Sequence, residues 1–228
     1  IYTEQVSINM DIVLAGAGNG TIIKSPSILT ASFATPNYTN KPIVFVNNTN
    51  YTTLKNLVVD GDGQGNLNYR FAGVAYYDAG GLVDRCEVRN ITNTPFSGTQ
   101  HGLGIYSFNT DSAPRSLYIL ACYLHNCQKN CMAINGNGLN IIIRDNKALG
   151  IGPTGTIAQN GIQVGPGPSG IVSGNYLSGF DYSGSGWGSS ALMNFGHEVA
   201  LLGNTVTLSD FGIYVDASGN TVVKGNNI

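Results

Sequence analysis

Charge is what this chain has least of. Lys, Arg, Asp and Glu make up 11% of its 228 residues, under half the usual share. Amphipathic helices need charged outer faces, so the shortage argues against a helical fold. A net charge of −2 provides no basic field to hold nucleic acid and no strong acidic one. No run of 18 apolar residues occurs, which leaves nothing to span a membrane as a helix. No signal-type apolar stretch precedes the first strands, and residue 1 is Ile rather than Met. The chain therefore reads as a processed product or an excised domain.

Polarity comes instead from 31 Gly and from abundant Asn, Ser and Thr, beside an ordinary 42% of hydrophobic residues. That balance suits tight turns and stacked polar ladders. Seven short strings repeat one pattern, an apolar strand followed by Asn or Cys, any residue, and a small apolar residue. They centre on Asn56, Cys86, Cys122, Asn146, Asn175, Asn204 and Asn226. Twelve to seventeen residues before each lies another apolar strand, as at Ile43, Val74, Ile105, Ile162 and Ile213. A repeat of roughly 20–36 residues made of short strands signals a solenoid.

Stacking the repeats predicts columns. One runs Ile43, Val74, Ile105, Met132, Ile162, Leu192, Ile213, and another runs Val58, Val88, Leu124, Ala148, Leu177, Val206, Ile228. Both are apolar throughout, as a continuous core requires. The bend residues form a third column, an Asn/Cys ladder in which each amide can satisfy backbone groups that would otherwise cost about 1–3 kcal/mol each. With rungs about 4.8 Å apart, seven to eight coils make a rod roughly 35 Å long. We read residues 1–228 as one domain, with 1–30 as a first partial coil and 31–228 as repeating coils that end uncapped. Bare rungs invite edge-to-edge pairing, so self-association through the coil ends is an expectation.

Residues 11–23 (DIVLAGAGNGTII), the string TVVKGNNI at 221–228 and GIYV at 212–215 resemble segments of the right-handed parallel β-helix proteins of the pectin-lyase-like superfamily, with their carbohydrate-associated repeats. The resemblance implies an all-β fold, a single-stranded right-handed parallel β-helix. Spacings of 30, 36, 24, 29, 29 and 22 residues between bend positions wander, whereas left-handed solenoids keep a strict hexad period. Low charge, abundant Asn and Thr and this kind of architecture together make an extracellular or cell-surface location the expectation, and the resemblance implies a polysaccharide partner. In that superfamily, long loops wall a groove over the first sheet, and here the long connections are 89–102, 150–160 and 178–191. Tyr77, Tyr106, Phe108, Phe195 and Tyr214 fall near outward positions of that sheet, with Phe180, Tyr182 and Trp187 in the loop above it. Aromatic faces stack on sugars, so these rings form either a glycan platform or a sealed interface.

Catalysis demands more. A glycosidase needs two carboxyl groups about 5–9.5 Å apart, but the outward column Ala75, Tyr106, Ala133, Gln163, Met193, Tyr214 holds none. HGLGI at 101–105, NTD at 109–111 and VVDGDGQG at 58–65 are similar to polygalacturonase segments. The order of the first two is reversed, however, Gln100 replaces a glycine, and the paired aspartates and Arg-Ile-Lys string are missing. The catalytic candidates are therefore Asp78, His101, Asp111 and Arg115. A lyase would draw on Asp78, His101 and Arg115 with Asp60, Asp62, Asp84, Arg85 and Arg89, and only in that case would Ca²⁺ be expected; otherwise no cofactor is.

Cys86 and Cys122 read as free thiols, because stacked side chains lie wider apart than the ~3.8 Å Cβ separation of a disulfide. Cys127 and Cys131 are left open between a small disulfide ring and free thiols. The Cys spacing with His125 invites a zinc site, but Cys122 belongs to the core pattern and the ligands would not converge, so no metal is expected. Sequons occur at Asn19, Asn37, Asn47, Asn50 and Asn90. Two function classes remain open. One is a non-catalytic extracellular module, serving as a stacking rod or a glycan-binding surface. The other is a polysaccharide lyase, glycoside hydrolase or epimerase.

Overall fold

A computed structural model of the chain describes residues 1–217 and 219–228. The chain winds through three sheets in turn, and within each sheet every neighbour lies one winding away. The first sheet stacks Val6–Ile8, Tyr38–Asn47, Phe71–Tyr77, Leu103–Phe108, Asn130–Asn135, Asn160–Val164, Ser190–Asn194 and Phe211–Val215. The second begins at Val13–Ala15 and Thr52–Lys55 and ends at Val222–Lys224, and the third runs from Tyr2–Thr3 to Thr205–Ser209. All this pairing is parallel, which gives a parallel β-helix with an Asn/Cys ladder. The exception is Phe33–Thr35, which folds back antiparallel on Tyr38–Asn47. The one helical segment among the described residues is a 3-10 turn, Gln64–Leu67.

The interior is the set of stacked columns. Val74, Ile105, Met132, Ile162, Leu192 and Ile213 are register partners, and Val88, Leu124, Ala148, Leu177 and Val206 form a second such series. Two columns begin one residue away from the expected place. Val44, not Ile43, pairs with Val74, and Val59, not Val58, pairs with Val88. Ile43 is buried too, in a column continued by Gly73, Gly104, Cys131, Gly161, Ala191 and Gly212. This is the point where the strand bends and two successive residues turn inward. A Cβ on Gly104 would lie 2.5 Å from the Cys131 carbonyl and 2.9 Å from Cys127 Sγ, so the column keeps its residues small where the coil narrows.

The ladder is shifted in the same way at its first rung. Asn56 is not a member, because Glu87 pairs with Val58 and so Cys86 stacks on the buried Leu57. Asn56 sits at φ 53°, in a column with Arg85 (48°), Ala121 (50°), Asp145 (57°), Gly174 (64°), Gly203 (60°) and Gly225 (67°). From Asn56 on, each rung thus makes its corner with one left-handed residue and places the ladder residue next. From Asn146 on, one bonding scheme repeats. Asn175 Oδ1 accepts the Asn146 N–H at 3.0 Å and Asn146 Nδ2 at 2.9 Å, while Asn175 Nδ2 donates to the Ile143 carbonyl and to Asn204 Oδ1. Asn204 and Asn226 repeat it. Asn146 Oδ1 accepts the Cys122 N–H at 2.8 Å, and the thiols of Cys122 and Cys86 take over below. All four Cys are free and buried.

Candidate functional site

The outward face of the first sheet divides into two halves. Over the first half lies the Phe33–Thr35 strand. Phe33 stacks on Phe45 at 5.3 Å, on Tyr77 at 4.7 Å and on Tyr106 at 5.9 Å, and Tyr106 meets Phe108 at 6.2 Å. Tyr106 is left only 5% exposed, and burial raises its phenol pKa. Tyr77, Tyr106 and Phe108 therefore seal a loop against the sheet and offer no open platform. Phe180 is not in the loop region at all. It ends a strand of the third sheet and lies in the core.

Over the second half the face is open. Loops 92–102, 150–159 and 181–189 rise from the third sheet and wall a groove of about 520 Å³. Gln100 comes from the first loop, Thr156, Ile157 and Ala158 from the second, and Tyr182, Trp187 and Gly188 from the third, with Lys129, Asn160 and Met193 on the floor. Trp187 is 82% exposed. Farther along the sheet, Phe195 packs on Tyr214 at 5.8 Å and Phe211 on Tyr214 at 6.4 Å. Amides pack at the floor and on the neighbouring strands. Asn160 Oδ1 accepts the Ser190 N–H at 3.1 Å, and Asn130 Nδ2 donates to Gln163 Oε1 at 2.8 Å. Asn130 Oδ1 is buried without a partner among the described residues. Lys129, whose pKa is lowered by burial, donates to the Ala158 carbonyl and is the groove's one charged lining residue.

The catalytic candidates do not converge in this groove. His101 precedes the strand Leu103–Phe108, while Asn109 to Asp111 follow it. His101 is buried. Its Nδ1 accepts the Phe71 N–H at 3.4 Å, so the Nε2–H donates to Asn93 Oδ1 at 2.7 Å. Burial lowers its pKa to about 4, so near neutral pH it is an uncharged brace for loop 92–101. At the other end of the strand, Asp78 accepts the Thr110 N–H and hydroxyl. Asp111 and Arg115 form a two-point ion pair, and Arg115 also donates to Asn109 Oδ1. That guanidinium holds the Asp111 carboxyl well below the usual carboxylate range. These residues clamp a turn.

The lyase candidates are spread across the third sheet's outer face and its neighbours. Arg89 bonds Asp60 at 2.8 Å and Glu87 at 2.9 Å, His125 bonds Glu87 at 3.1 Å, Lys24 pairs with Asp62 at 2.9 Å and Arg85 with Asp84 at 2.6 Å. Burial works to raise the pKa of Asp60 and Glu87, but bonds from Asn90, the Asp62 N–H and Arg89 to Asp60, and from His125 and Arg89 to Glu87, outweigh it and lower both. A calcium ion would have to displace a cation at each of Asp60, Asp62, Asp84 and Asp111, so these residues do not fit one. No three metal-ligating side chains come together among the described residues. His125 faces out to Glu87, while Cys122, Cys127 and Cys131 are in the core. Of the sequons, Asn19, Asn37 and Asn50 are exposed and Asn47 is half-buried. Asn90 is engaged with Asp60 and Asn126.

Sequence reasoning passed over Lys129, Asn160 and Asn130, which no motif marks, and also a carboxylate pair at the outer rim. Asp210 Oδ2 accepts the Tyr182 N–H at 3.0 Å and the Ser189 N–H at 2.7 Å, tying down the Trp187 loop. Desolvation and the adjacent Asp210 carboxylate raise the pKa of Asp181.

No family model matches the chain, and no curated protein matches it. Among solved structures, a chain described as a glycoside hydrolase is similar at 13% identity and a TM-score of 0.46, over 82% of this chain and 38% of that one. The present chain thus spans well under half of that protein's length. The fold assignment rests on the strand pairing itself.

Proposed function

We propose that this chain is a non-catalytic, extracellular β-helix module of the pectin-lyase-like type that binds glycans in the loop-walled groove of its first sheet. The observation that carries this reading is the lining of the groove. An exposed Trp187 and a half-buried Tyr182 stand over a lining that holds the amides of Asn160 and Gln100, with one ammonium and no carboxylate. Aromatic faces cover the C–H surfaces of sugars and amides bond their hydroxyls, whereas hydrolysis needs a carboxyl pair that this floor does not hold. Low charge and abundant Asn and Thr fit an extracellular location. Association end to end through exposed rungs belongs to the same proposal, and sedimentation across a hundredfold concentration range tests it.

An enzyme acting on polysaccharide is the second reading, and the Asp181–Asp210 pair favours it. Against it, Asp210 already serves two backbone N–H groups of the loop that carries Trp187.

The test is a panel of neutral and acidic oligosaccharides, scored for binding and for product release. Binding without release is expected. Release that Asp181→Asn abolishes would replace this reading with the enzymatic one. Trp187→Ala should weaken binding by about tenfold or more while leaving stability within about 0.5 kcal/mol, as for an exposed side chain. Tyr106→Ala should do the reverse, destabilising by about 3 kcal/mol through the cavity it opens, with little effect on binding.

A further inference from the structure

We infer that the groove selects sugars bearing an N-acetyl group, with the acetamido methyl against Ile157, Ala158 and Met193 and its polar atoms toward Lys129 and Asn160. This rests on the glycan-binding reading and names the substituent that the same groove would take.

Three features of the lining point to an acetamido group. The first is an apolar strip beside a polar floor. Ile157, Ala158 and Met193 line the same groove as Lys129 and Asn160, and a plain sugar hydroxyl offers no apolar atoms to cover that strip. A methyl group does, and its removal from water favours binding. The second feature is unused donor capacity. Lys129 donates one of its three hydrogens to the Ala158 carbonyl, and Asn160 Nδ2 has no acceptor among the described residues. A carbonyl oxygen on the ligand satisfies both. The third is an acceptor at the rim, since Gln100 spends its Nε2 on the Gly98 carbonyl and so keeps its Oε1 for an N–H. Carbonyl, N–H and methyl are the three parts of one acetamido group.

The other common substituents fit less well. A uronate carboxylate would take the free hydrogens of Lys129, but it would lie against the apolar strip and brings no N–H for Gln100 Oε1. A free amine would bring a cation to the one cation of the lining.

Three β-1,4-linked tetrasaccharides that differ only at carbon 2 test this: the tetramer of N-acetylglucosamine, its fully deacetylated form, and cellotetraose. The N-acetylated tetramer is expected to bind about tenfold tighter than cellotetraose. In saturation-transfer NMR its acetyl methyl protons should receive more signal than its ring protons. Ala158→Leu, which fills the apolar strip, should bring the affinity ratio of the N-acetylated tetramer to cellotetraose down to about one. Equal affinity for the three, a preference for the amine, or methyl signals weaker than ring signals would each overturn the inference and leave glycan binding standing. If no member of the wider panel binds, the glycan-binding reading itself fails, and this inference with it.

Discussion

Individual residues carry two distinct strains. His101 is one. Its folded pKa is near 4 because it is buried, against about 6.5 in an unfolded chain. Between those values the unfolded chain binds more protons, so stability rises with pH. The contribution of the neutral imidazole is complete above pH 6.5, and it is lost progressively as pH falls to 4, by about 3 kcal/mol in all. Denaturant titrations at pH 7, 5.5 and 4 should show that loss, and His101→Gln should start less stable and run flatter across the same window. A flat wild-type profile would contradict a neutral, buried ring. Asp60 and Glu87 have the same sign, since bonds to their charged forms depress both pKa values, and their contributions are lost as pH falls through those depressed values. The second strain is backbone. From Asn56 on, the corner column holds a left-handed residue at each rung, and Ala121 takes that conformation at φ 50° without the freedom of glycine. Ala121→Gly should therefore stabilise the protein by about 1 kcal/mol, against the usual direction of Ala→Gly changes, as thermal or denaturant unfolding will show.

At the scale of strands and rungs, the ladder makes a sharper claim. Asn175→Ala would leave the Asn146 N–H, the Asn146 amide and the Ile143 carbonyl short of partners. A loss of about 2–4 kcal/mol is expected. Cys122→Asn should be close to neutral or stabilising, because its N–H already bonds Asn146 Oδ1 and its Sγ already leans on the Val83 and Leu120 carbonyls. Equal losses for the two substitutions would mean the column is filled by shape alone. The same column shows how far sequence could be read. From Cys86 onward, the like-over-like rule places every rung correctly, because each strand of the second sheet is followed by one left-handed corner residue and then by Cys or Asn. At Asn56 the rule slips by one, for a physical reason. Asn suits both the left-handed corner and the ladder, so Asn56-Leu57-Val58 mimics a rung whose true ladder residue is Leu57. Ile43 slips likewise because two successive residues turn inward at the bend. The groove was legible only in outline. Loop lengths located its walls and Trp187 its rim, but nothing in the pattern announced that Phe33 would close the first half or that Lys129 would floor the second.

Across the whole molecule, the strands of the described residues pair in parallel only with strands of the windings directly before and after them in the stack. Stability is then close to a sum of rung and nearest-neighbour interface terms. Strands in the middle, such as Leu117 and Ile119 on Ile141 and Ile143, are fully buried. In the last winding, Phe211, Val215, Val222 and Val223 are 42–53% exposed. Free energy of opening should fall along the axis toward that end. Native-state hydrogen exchange is expected to be slowest for amides of Arg115–Leu120 and Leu139–Arg144 and fastest for those of Val222–Lys224. Asn204→Ala provides the internal control. It removes the acceptor and donor that join Asn175 to the last rung, so exchange in 222–224 should quicken at least about tenfold, a loss of about 1.4 kcal/mol, while 115–120 stays as it was. Uniform exchange through the chain, or equal acceleration everywhere in Asn204→Ala, would show that the three sheets open as one unit. In that case the groove loops could not be remodelled without weakening the entire stack, whereas graded opening leaves loops 92–102 and 150–159 resting on the most protected part of the rod.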